Sequence, residues 1–420
     1  MIKCLLVFVT TVILASCHQL LKPDVPDVRW DLFDSSMAQP LKNSTRKKLE
    51  GVYTIEGEKK FGPMTALKWS YTIKSKDTVY QLSMFCEEDA AYFICEGKRL
   101  DNSILLRGYW RKLTNTETGR ARFTLTLRDI KGVSDDSISG NYNLSINGVY
   151  GSGDSEPDKK LQLKYIRPLY YKKPLEIIGH RGGGRIGDLL PASENSVQLI
   201  EMASRLGATG VEIDVQITKD GIPVLYHDSR INDRLTHKAG VRGELKNYTY
   251  AELTSEVRLK NDEKIPTLKE ALNSIIYNTP IRYVWLDAKD TTRLEIINDL
   301  QQEALQAAAA IGRHIEITIG IHDENVFNKF LLLPDFKNIP SLCELEPAYV
   351  TTANARIWAP LWTEGLQPEK VQAMKAQGKR AFVWTIDQPK QIKEFMFEGN
   401  YDGIVSNYAS LVAYYYYTRE

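Results

Sequence analysis

Cysteine and excess charge are both scarce in this chain, and each scarcity excludes a class of protein. Five cysteines among 420 residues are too few for a disulfide-held framework in a chain of this length. Lys plus Arg (54) nearly equals Asp plus Glu (53), and the net charge of +1 supplies no basic face for nucleic acid. We therefore expect no nucleic-acid partner. The hydrophobic share of 43% indicates an ordinary globular protein, and the length suits two domains.

The chain also lacks any apolar run of the roughly 20 residues that a membrane helix needs. Its amino terminus has one Lys, a shorter apolar run from Leu5 to Leu14, and small residues before Cys17, which is the layout of a signal peptide. The segment LASC resembles a bacterial lipobox. We expect a lipoprotein signal over residues 1–17, with acyl chains on Cys17 that hold the protein to a membrane of the bacterial envelope, on its periplasmic or outer-membrane face. The alternative is an ordinary cleaved signal.

Three further cysteines lie in the body of the chain. Cys86 and Cys95 flank a predicted turn, and a hairpin centred between Ala90 and Ala91 would place them opposite each other. Such a pair could form a cross-strand disulfide or remain two buried thiols. Cys343 has no evident partner and is expected in the core.

The chain changes texture near residue 168. Residues 45–167 consist of short runs rich in aromatic and β-branched side chains, broken at intervals of roughly 10 residues, which predicts an all-β sandwich or small barrel. Core packing accounts for its aromatic residues better than a ligand pocket does. We interpret it as an accessory domain, for which the sequence identifies no ligand, and residues 18–44 as a linker.

Residues 168–420 alternate apolar strand-like runs with amphipathic helical stretches, as βα units do. Eight such runs in about 250 residues predict an α/β fold, a (β/α)8 TIM barrel. The runs are EIIGHRG, GVEIDVQIT continuing through PVLYHD, YVWLDAK, IEITIGIHD, SLCELE, ARIWAPLW, AFVWTID and DGIVSN.

Carboxylates interrupt two of these runs, although strands of a parallel barrel are normally almost entirely apolar. Alternation in GVEIDVQIT sends Glu212 and Asp214 to the same inner face, and YVWLDAK adds Asp287 and Lys289. Adjacent buried carboxylates need a cation or a shared proton. Oxygen ligands without cysteine or paired histidines favour one divalent cation, Mg²⁺ or Ca²⁺, over zinc. The alternative is an internal salt-bridge network between Lys289 and the three acids.

Two histidines, His180 and His227, also occur at the ends of predicted strands, with Arg181 next to the first. Because reactive groups collect at the carboxyl mouth of such a barrel, we expect them to lie beside the carboxylates. His322 also ends a predicted strand and is a further candidate for the mouth.

From about residue 176 to residue 411 the chain resembles glycerophosphodiester phosphodiesterases. The motifs that carry this resemblance occur in the family's order: Gly-His180-Arg181-Gly, Glu194-Asn195-Ser196, Glu212-Ile-Asp214, Thr-Lys-Asp-Gly-Ile-Pro-Val-Leu-Tyr-His227-Asp, Ile265-Pro-Thr-Leu, Asp287-Ala-Lys289, Trp384-Thr and Asp402-Gly-Ile-Val-Ser-Asn407.

The resemblance implies a role for each matching residue. It makes Glu212, Asp214 and Asp287 the metal ligands. It makes His180 and His227 the acid–base pair. Four further assignments follow from it: Arg181 and Lys289 grip the phosphate, Glu194 belongs to the inner shell of the site, and Trp384 forms a substrate wall.

Two departures from the family pattern concern the site. The loop GGGRIGDLLPAS, between Arg181 and Glu194, is longer than in many bacterial members. Asp287 stands where the family usually has Glu, so a metal would sit about a methylene closer or gain a water. Neither departure removes a group that the chemistry needs.

The function that the resemblance implies is metal-dependent hydrolysis of glycerophosphodiesters to glycerol 3-phosphate and an alcohol. The nucleophile is water, or the glycerol 2-hydroxyl through a cyclic phosphate. A phospholipase that acts on phospholipids or lysophospholipids is the enzymatic alternative. The alternative of another class is an inactive lipid- or glycan-binding lipoprotein. An empty histidine or carboxylate position would mark that case, and every position here is filled.

Overall fold

The computed structural model describes residues 25–126, 144–289 and 292–420. The predicted signal peptide, with Cys17, lies outside these ranges, as does the first part of the predicted linker. Within the described ranges, no helix combines the length and apolar character that crossing a membrane requires.

The first domain is a closed antiparallel barrel. Strands β2 to β9 each pair with the next, and β9 returns to pair with β2. The closed barrel is one of the two all-β forms that the sequence predicts. Its elements are α1 (Asp31–Asp34), β1 (Gln39–Pro40), α2 (Asn43–Leu49), β2 (Gly51–Glu56), β3 (Met64–Lys74), β4 (Asp77–Cys86), β5 (Tyr92–Leu100), β6 (Ser103–Arg111), β7 (Thr118–Thr126), β8 (Ser145–Tyr150) and β9 (Lys159–Arg167).

Side chains fill this barrel. In β7, burial alternates strictly along the strand, which sends Phe123 inward and leaves polar neighbours outside. Phe61 makes edge-to-face contacts with Phe93, Trp110 and Tyr150, at centroid distances of 4.7, 5.2 and 5.2 Å. The aromatic residues here form a packed core, as is usual for a barrel of this strand number.

Two sequence predictions for this domain are wrong in detail. Residues 31–44 belong to the predicted linker, but they include α1, β1 and the start of α2, and β1 pairs with β5. The hairpin of β4 and β5 pairs Phe85 with Tyr92 and Leu82 with Cys95, because a 3₁₀ turn at Glu88–Ala90 shifts its centre. Cys86 and Cys95 are therefore not opposite each other, and both are buried free thiols, as is Cys343.

The second domain is the predicted (β/α)8 barrel. Eight parallel strands, β10, β11 and β17 to β22, close into a ring in which β22 pairs with β10. Its elements are β10 (Glu176–Gly179), α3 (Val197–Ala203), β11 (Gly210–Ile217), β12 (Pro223–Leu225), β13 (Arg230–Ile231), β14 (Thr236–Ala239), β15 (Gly243–Glu244), α4 (Tyr250–Glu256), β16 (Val257–Leu259), α5 (Leu268–Asn278), β17 (Tyr283–Ala288), α6 (Leu294–Ala310), β18 (Glu316–Ile321), α7 (Glu324–Phe330), β19 (Ser341–Cys343), α8 (Pro347–Thr352), β20 (Ile357–Trp358), α9 (Pro368–Ala376), β21 (Arg380–Val383), α10 (Pro389–Lys393), β22 (Gly403–Ser406) and α11 (Ala409–Tyr417).

One strand differs from the prediction. The run PVLYHD does not continue β11, because β12 turns back and pairs antiparallel with it. The run is apolar because β12 is itself buried, as Val224 at 0% exposure shows, and not because it belongs to the parallel ring. The hairpin of β11 and β12 carries His227 back toward the mouth of the barrel, since Tyr226 N donates to Asp214 O at 3.1 Å.

The two domains share a buried interface. The last helix, α11, packs its four tyrosines, residues 414–417, against the antiparallel barrel and the start of the parallel one. Tyr417 stacks on Phe85 with ring centroids 6.4 Å apart, and Tyr415 OH donates to Glu87 Oε1 at 2.7 Å. The domains are thus joined through side-chain packing as well as through the chain.

Candidate active site

Three carboxylates meet at the carboxyl ends of adjacent parallel strands. Asp214 of β11 lies directly beside Asp287 of β17 in the strand register, and Glu212 projects from the same face. One oxygen from each of the three lies within 4.8 Å of the others. Glu212 and Asp214 are only 4% and 1% exposed. The three carboxylates thus share the inner face that the alternation in the sequence predicts.

The cluster fits a divalent cation. Burial, together with the neighbouring Asp214 and Asp287, raises the pKa of Glu212 well above its usual range. Glu212 Oε2 accepts from Arg181 N at 2.7 Å, but the buried Oε1 has no hydrogen-bond partner. Asp214 Oδ2 accepts from Asn195 Nδ2 at 2.7 Å. An unpaired buried oxygen among three carboxylates is the arrangement that a hard cation would satisfy.

Lys289 and His322 border the cluster on one side. Lys289 Nζ lies 3.1 Å from Asp214 Oδ1 and also donates to Asp287. His322 Nδ1 lies 3.4 Å from Asp287 Oδ1. Burial favours the neutral form of Asp287, but the contacts with His322 and Lys289 outweigh it and lower the pKa of that carboxyl to about 2. The structure therefore contains part of the salt-bridge network that was the alternative to a metal site, and it leaves Glu212 outside the direct contacts of Lys289.

His180 lies beside the cluster with one ring nitrogen anchored. Its Nδ1 is 2.8 Å from Asn407 Oδ1, and Asn407 Nδ2 donates to Asp387 Oδ2 at 2.7 Å. Because that donor defines which end of the amide is oxygen, His180 Nδ1 carries the proton and Nε2 is left with a lone pair. Nε2 lies 3.8 Å from Glu212 Oε2. Burial, reinforced by the adjacent Arg181, lowers the pKa of His180 below its ordinary value.

His227 is anchored in the same manner by a carboxylate. Its Nδ1 is 2.6 Å from Asp228 Oδ1, and its Nε2 is 2.8 Å from Arg181 Nη2. Burial favours the neutral form of Asp228, but hydrogen bonds from Arg234, His227 and Asn232 outweigh it and hold the pKa of that carboxyl well below its usual range. Because a guanidinium only donates, His227 Nε2 accepts from Arg181, and Nδ1 carries the ring proton toward Asp228.

Two arginines connect His227 and Asp228 to Glu194. Arg181 Nη1 donates to Glu194 Oε1 at 2.9 Å, and Glu194 is 3% exposed. Arg234 Nη2 donates to Asp228 Oδ1 at 2.7 Å, and Arg234 Nη1 donates to Glu194 at 3.3 Å. Arg181 therefore bridges Glu194 and His227, and its contact with a phosphate remains a prediction.

Eight of the predicted residues form this connected group, and the ninth lies at its edge. Trp384 follows β21, packs against the apolar interior of the parallel barrel, and donates from Nε1 to Ala359 O at 3.0 Å. None of the contacts found in the described ranges links the Trp384 indole to the charged residues. Its role as a substrate wall remains a prediction.

Several residues of the site were missed by sequence reasoning. Asp228 directly follows His227 and Asp387 ends the run AFVWTID, so their positions could have identified both, whereas Arg234 gives no local signal. Glu344 follows β19, and its pKa is raised well above the usual range by burial and by Asp287. A carboxylate directly after a barrel strand was the available signal for Glu344.

Comparisons with known proteins agree with the motif order. The profile of the glycerophosphoryl diester phosphodiesterase family matches residues 180–326. Glycerophosphodiester phosphodiesterase 1 of Mus musculus is 31% identical over 192 residues, which are 44% of this chain and 47% of that protein. The glycerophosphodiester phosphodiesterase of Caldanaerobacter subterraneus subsp. tengcongensis is 27% identical over 250 residues, 55% of this chain and 93% of that protein.

A solved glycerophosphodiester phosphodiesterase from Parabacteroides distasonis is 25% identical, with a TM-score of 0.45 over 56% of this chain and 94% of that one. This chain spans about half the length of the mouse relative. The family match begins at His180 and includes the three carboxylates and both histidines of the site. Residues 180–326 are therefore a glycerophosphoryl diester phosphodiesterase family domain, built into the parallel barrel of this chain.

Proposed function

We propose that the parallel barrel hydrolyses glycerophosphodiesters to glycerol 3-phosphate and an alcohol, with one divalent cation, Mg²⁺ or Ca²⁺. The observation that carries the proposal is a carboxylate cluster with an unpaired oxygen at Glu212, flanked by two histidines whose Nδ1 atoms are both anchored. Glu212, Asp214 and Asp287 would hold the cation. When bound, it would draw electron density from a phosphoryl oxygen.

The two histidines suit opposite proton transfers. His180 has a lowered pKa and a protonated Nδ1, so its neutral Nε2 is suited to remove a proton from the attacking hydroxyl. His227 is held by Asp228 at Nδ1 and by Arg181 at Nε2, and we assign it the proton transfer to the leaving oxygen because His180 takes the role of base. Each transfer is worth about 10²–10⁴-fold in rate. The attacking hydroxyl is that of water or of the glycerol 2-position.

Glycerol 3-phosphate release tests the reaction. The chain from residue 18 onward would be assayed on glycerophosphocholine, glycerophosphoethanolamine and a lysophospholipid, each with Mg²⁺, Ca²⁺ or EDTA. We expect metal-dependent release from the small diesters, and loss of it in His180→Ala and His227→Ala. His237→Ala is the matched control, because His237 pairs with Asp262 outside the site. Lysophospholipid cleavage alone would favour the phospholipase, and no cleavage by the wild type would favour the binding protein.

We also propose that the chain is anchored in a bacterial envelope membrane through Cys17. The apolar run before LASC supports this proposal. Growth with labelled palmitate would test it, with Cys17→Ser beside Cys4→Ser. We expect label in the wild type and the Cys4 variant but not in the Cys17 variant, and an unlabelled, released wild type would contradict anchoring.

A further inference from the structure

We propose that the antiparallel barrel is a clamp that positions His180, with Arg111 holding the mouth loop, which we define as residues 183–192. The inference rests on the proposed function, because it gives the amino-terminal domain a positioning role in that reaction. It follows from an unbroken series of contacts that begins in one barrel and ends at the imidazole in the other.

The first contact crosses the domain boundary. Arg111, the last residue of β6, is 2% exposed, and its Nη2 donates to Leu189 O in the mouth loop at 2.6 Å. The neighbouring Leu190 is 1% exposed and belongs to the same apolar cluster as Ala90 and Leu113 of the antiparallel barrel. The mouth loop is thus held by a charged donor and by buried apolar packing from the other domain.

The mouth loop then contacts the ends of β21 and β22. Asp188 is 5% exposed and accepts from Tyr408 OH and from Arg185 Nε, both at 3.1 Å. Arg185 Nη2 donates to Tyr408 OH at 3.2 Å. Arg185 Nη1 lies 3.9 Å from Asp387 Oδ2. These contacts connect the loop to the carboxylate that orients the amide behind His180.

The last contacts reach the imidazole. Asp387 Oδ1 accepts from Asn407 N at 2.9 Å, and Asp387 Oδ2 accepts from the Asn407 side chain. Asn407 in turn holds His180 Nδ1. A Cβ added at Gly184 of the mouth loop would lie 3.2 Å from Asn407 O, so the loop also packs directly against this residue. Apart from Arg185, whose side chain is 46% exposed, the side chains in the series are buried or half-buried.

A displaced mouth loop would disturb the orientation of the His180 ring. Loss of orientation lowers the fraction of molecules that are poised for proton transfer. We therefore expect kcat to fall while KM changes little. A purely structural role for Arg111 would lower stability without this separation of kcat from KM.

The test is Arg111→Met in the chain from residue 18 onward, with Arg107→Met as the matched control. Arg107 lies on the same strand and pairs with Asp34 at 2.7 Å, away from the mouth loop. We expect faster amide hydrogen exchange in residues 183–192 and a fall in kcat of about tenfold for Arg111→Met alone. Arg111→Lys, which keeps the donor charge, is expected to restore part of kcat.

Tyr408→Phe covers the case in which Arg111→Met does not fold, because it removes loop contacts and leaves the antiparallel barrel intact. It should also speed exchange in the mouth loop, and the effects of the two substitutions on kcat should be less than additive. Unchanged exchange in both variants would overturn the clamp. If the wild type cleaves no diester, the proposed function fails, but the exchange measurement still decides the clamp.

Discussion

The two histidines of the site differ in what their ring nitrogens contact. His180 is buried, its Nδ1 contacts an amide oxygen, and its pKa is lowered. His227 contacts a carboxylate instead. The two imidazoles thus differ in the neighbour at Nδ1, and the proposed function assigns them opposite proton transfers.

The pH profile of kcat/KM follows from this arrangement. A lowered pKa means that His180 is neutral at pH values above that pKa, so a base at this position loses activity only when the pH falls through it. We expect an acidic limb whose midpoint lies below the ordinary histidine value of about 6.5. A pH series from about 4.5 to 8 on glycerophosphocholine, checked for folding by circular dichroism, measures it. A midpoint above the ordinary value would contradict the assignment of His180 as base.

Glu212→Gln should separate metal binding from folding. Ionised Glu212 is unfavourable when no cation is bound, because it is buried beside Asp214 and Asp287. The raised pKa means that folding without a cation costs either the buried charge or the uptake of a proton. The amide removes that cost, so we expect the metal-free protein to melt on the order of 2–4 °C higher. Addition of Mg²⁺ or Ca²⁺ should then stabilise the wild type only.

Differential scanning fluorimetry with EDTA, Mg²⁺ or Ca²⁺ measures both effects. Glu244→Gln is the control, since Glu244 is half-exposed and pairs with Lys246 at 3.0 Å. Equal stabilisation of wild type and Glu212→Gln by the cation would place the metal elsewhere.

The residues proposed to react were identifiable in the sequence, but several of those that hold them were not. Glu212 and Asp214 were identifiable because charge interrupts an apolar strand. Asn407 and Asp387 act on His180 across more than 200 residues of chain, so no local pattern marks that contact. Only the closure of β22 onto β10 brings them together.

Strands were predictable where an alternating or apolar run fits only one kind of strand. The run PVLYHD fits two kinds, because a hairpin strand packed in a small separate core is as apolar as a strand of the parallel barrel. The register of Cys86 and Cys95 was wrong because the 3₁₀ turn at Glu88–Ala90 adds residues that the pattern does not show.

The mouth loop depends on a glycine for close packing. A Cβ at Gly184 would lie 2.5 Å from Leu190 Cδ1 and 3.2 Å from Asn407 O, so Gly184→Ala must shift the Leu190 side chain or the loop itself. We expect a several-fold loss of kcat, on the order of 3–10-fold, with KM nearly unchanged. Gly312→Ala is the control, because no atom lies within 4 Å of a Cβ there. Equal kcat for the two variants would show that the loop position does not matter.

Because the interface between the two barrels is buried, we expect them to unfold together. Phe85 reads in sequence as core of the antiparallel barrel, but it stacks on Tyr417 of the other domain and is 1% exposed. The interface was not predictable, because a residue on a strand carries no mark of which barrel its side chain faces.

Phe85→Ala measures the energy of that contact. Truncation of a buried phenylalanine costs about 3–5 kcal/mol, and the loss should appear in a single urea transition shared by both barrels. Phe397→Ala serves as control, because Phe397 is 40% exposed. Two separate transitions in the wild type would contradict a shared folding unit.

Removal and return of the cation would decide whether the carboxylate cluster runs the reaction. The chain from residue 18 onward would be stripped with EDTA, and glycerol 3-phosphate release from glycerophosphocholine would be followed as Mg²⁺ or Ca²⁺ is titrated back, beside Glu212→Gln. We predict no release after stripping, recovery that saturates with one of the two cations, and no recovery in Glu212→Gln. Full activity after stripping, or full recovery in the variant, would contradict a catalytic cation at Glu212, Asp214 and Asp287.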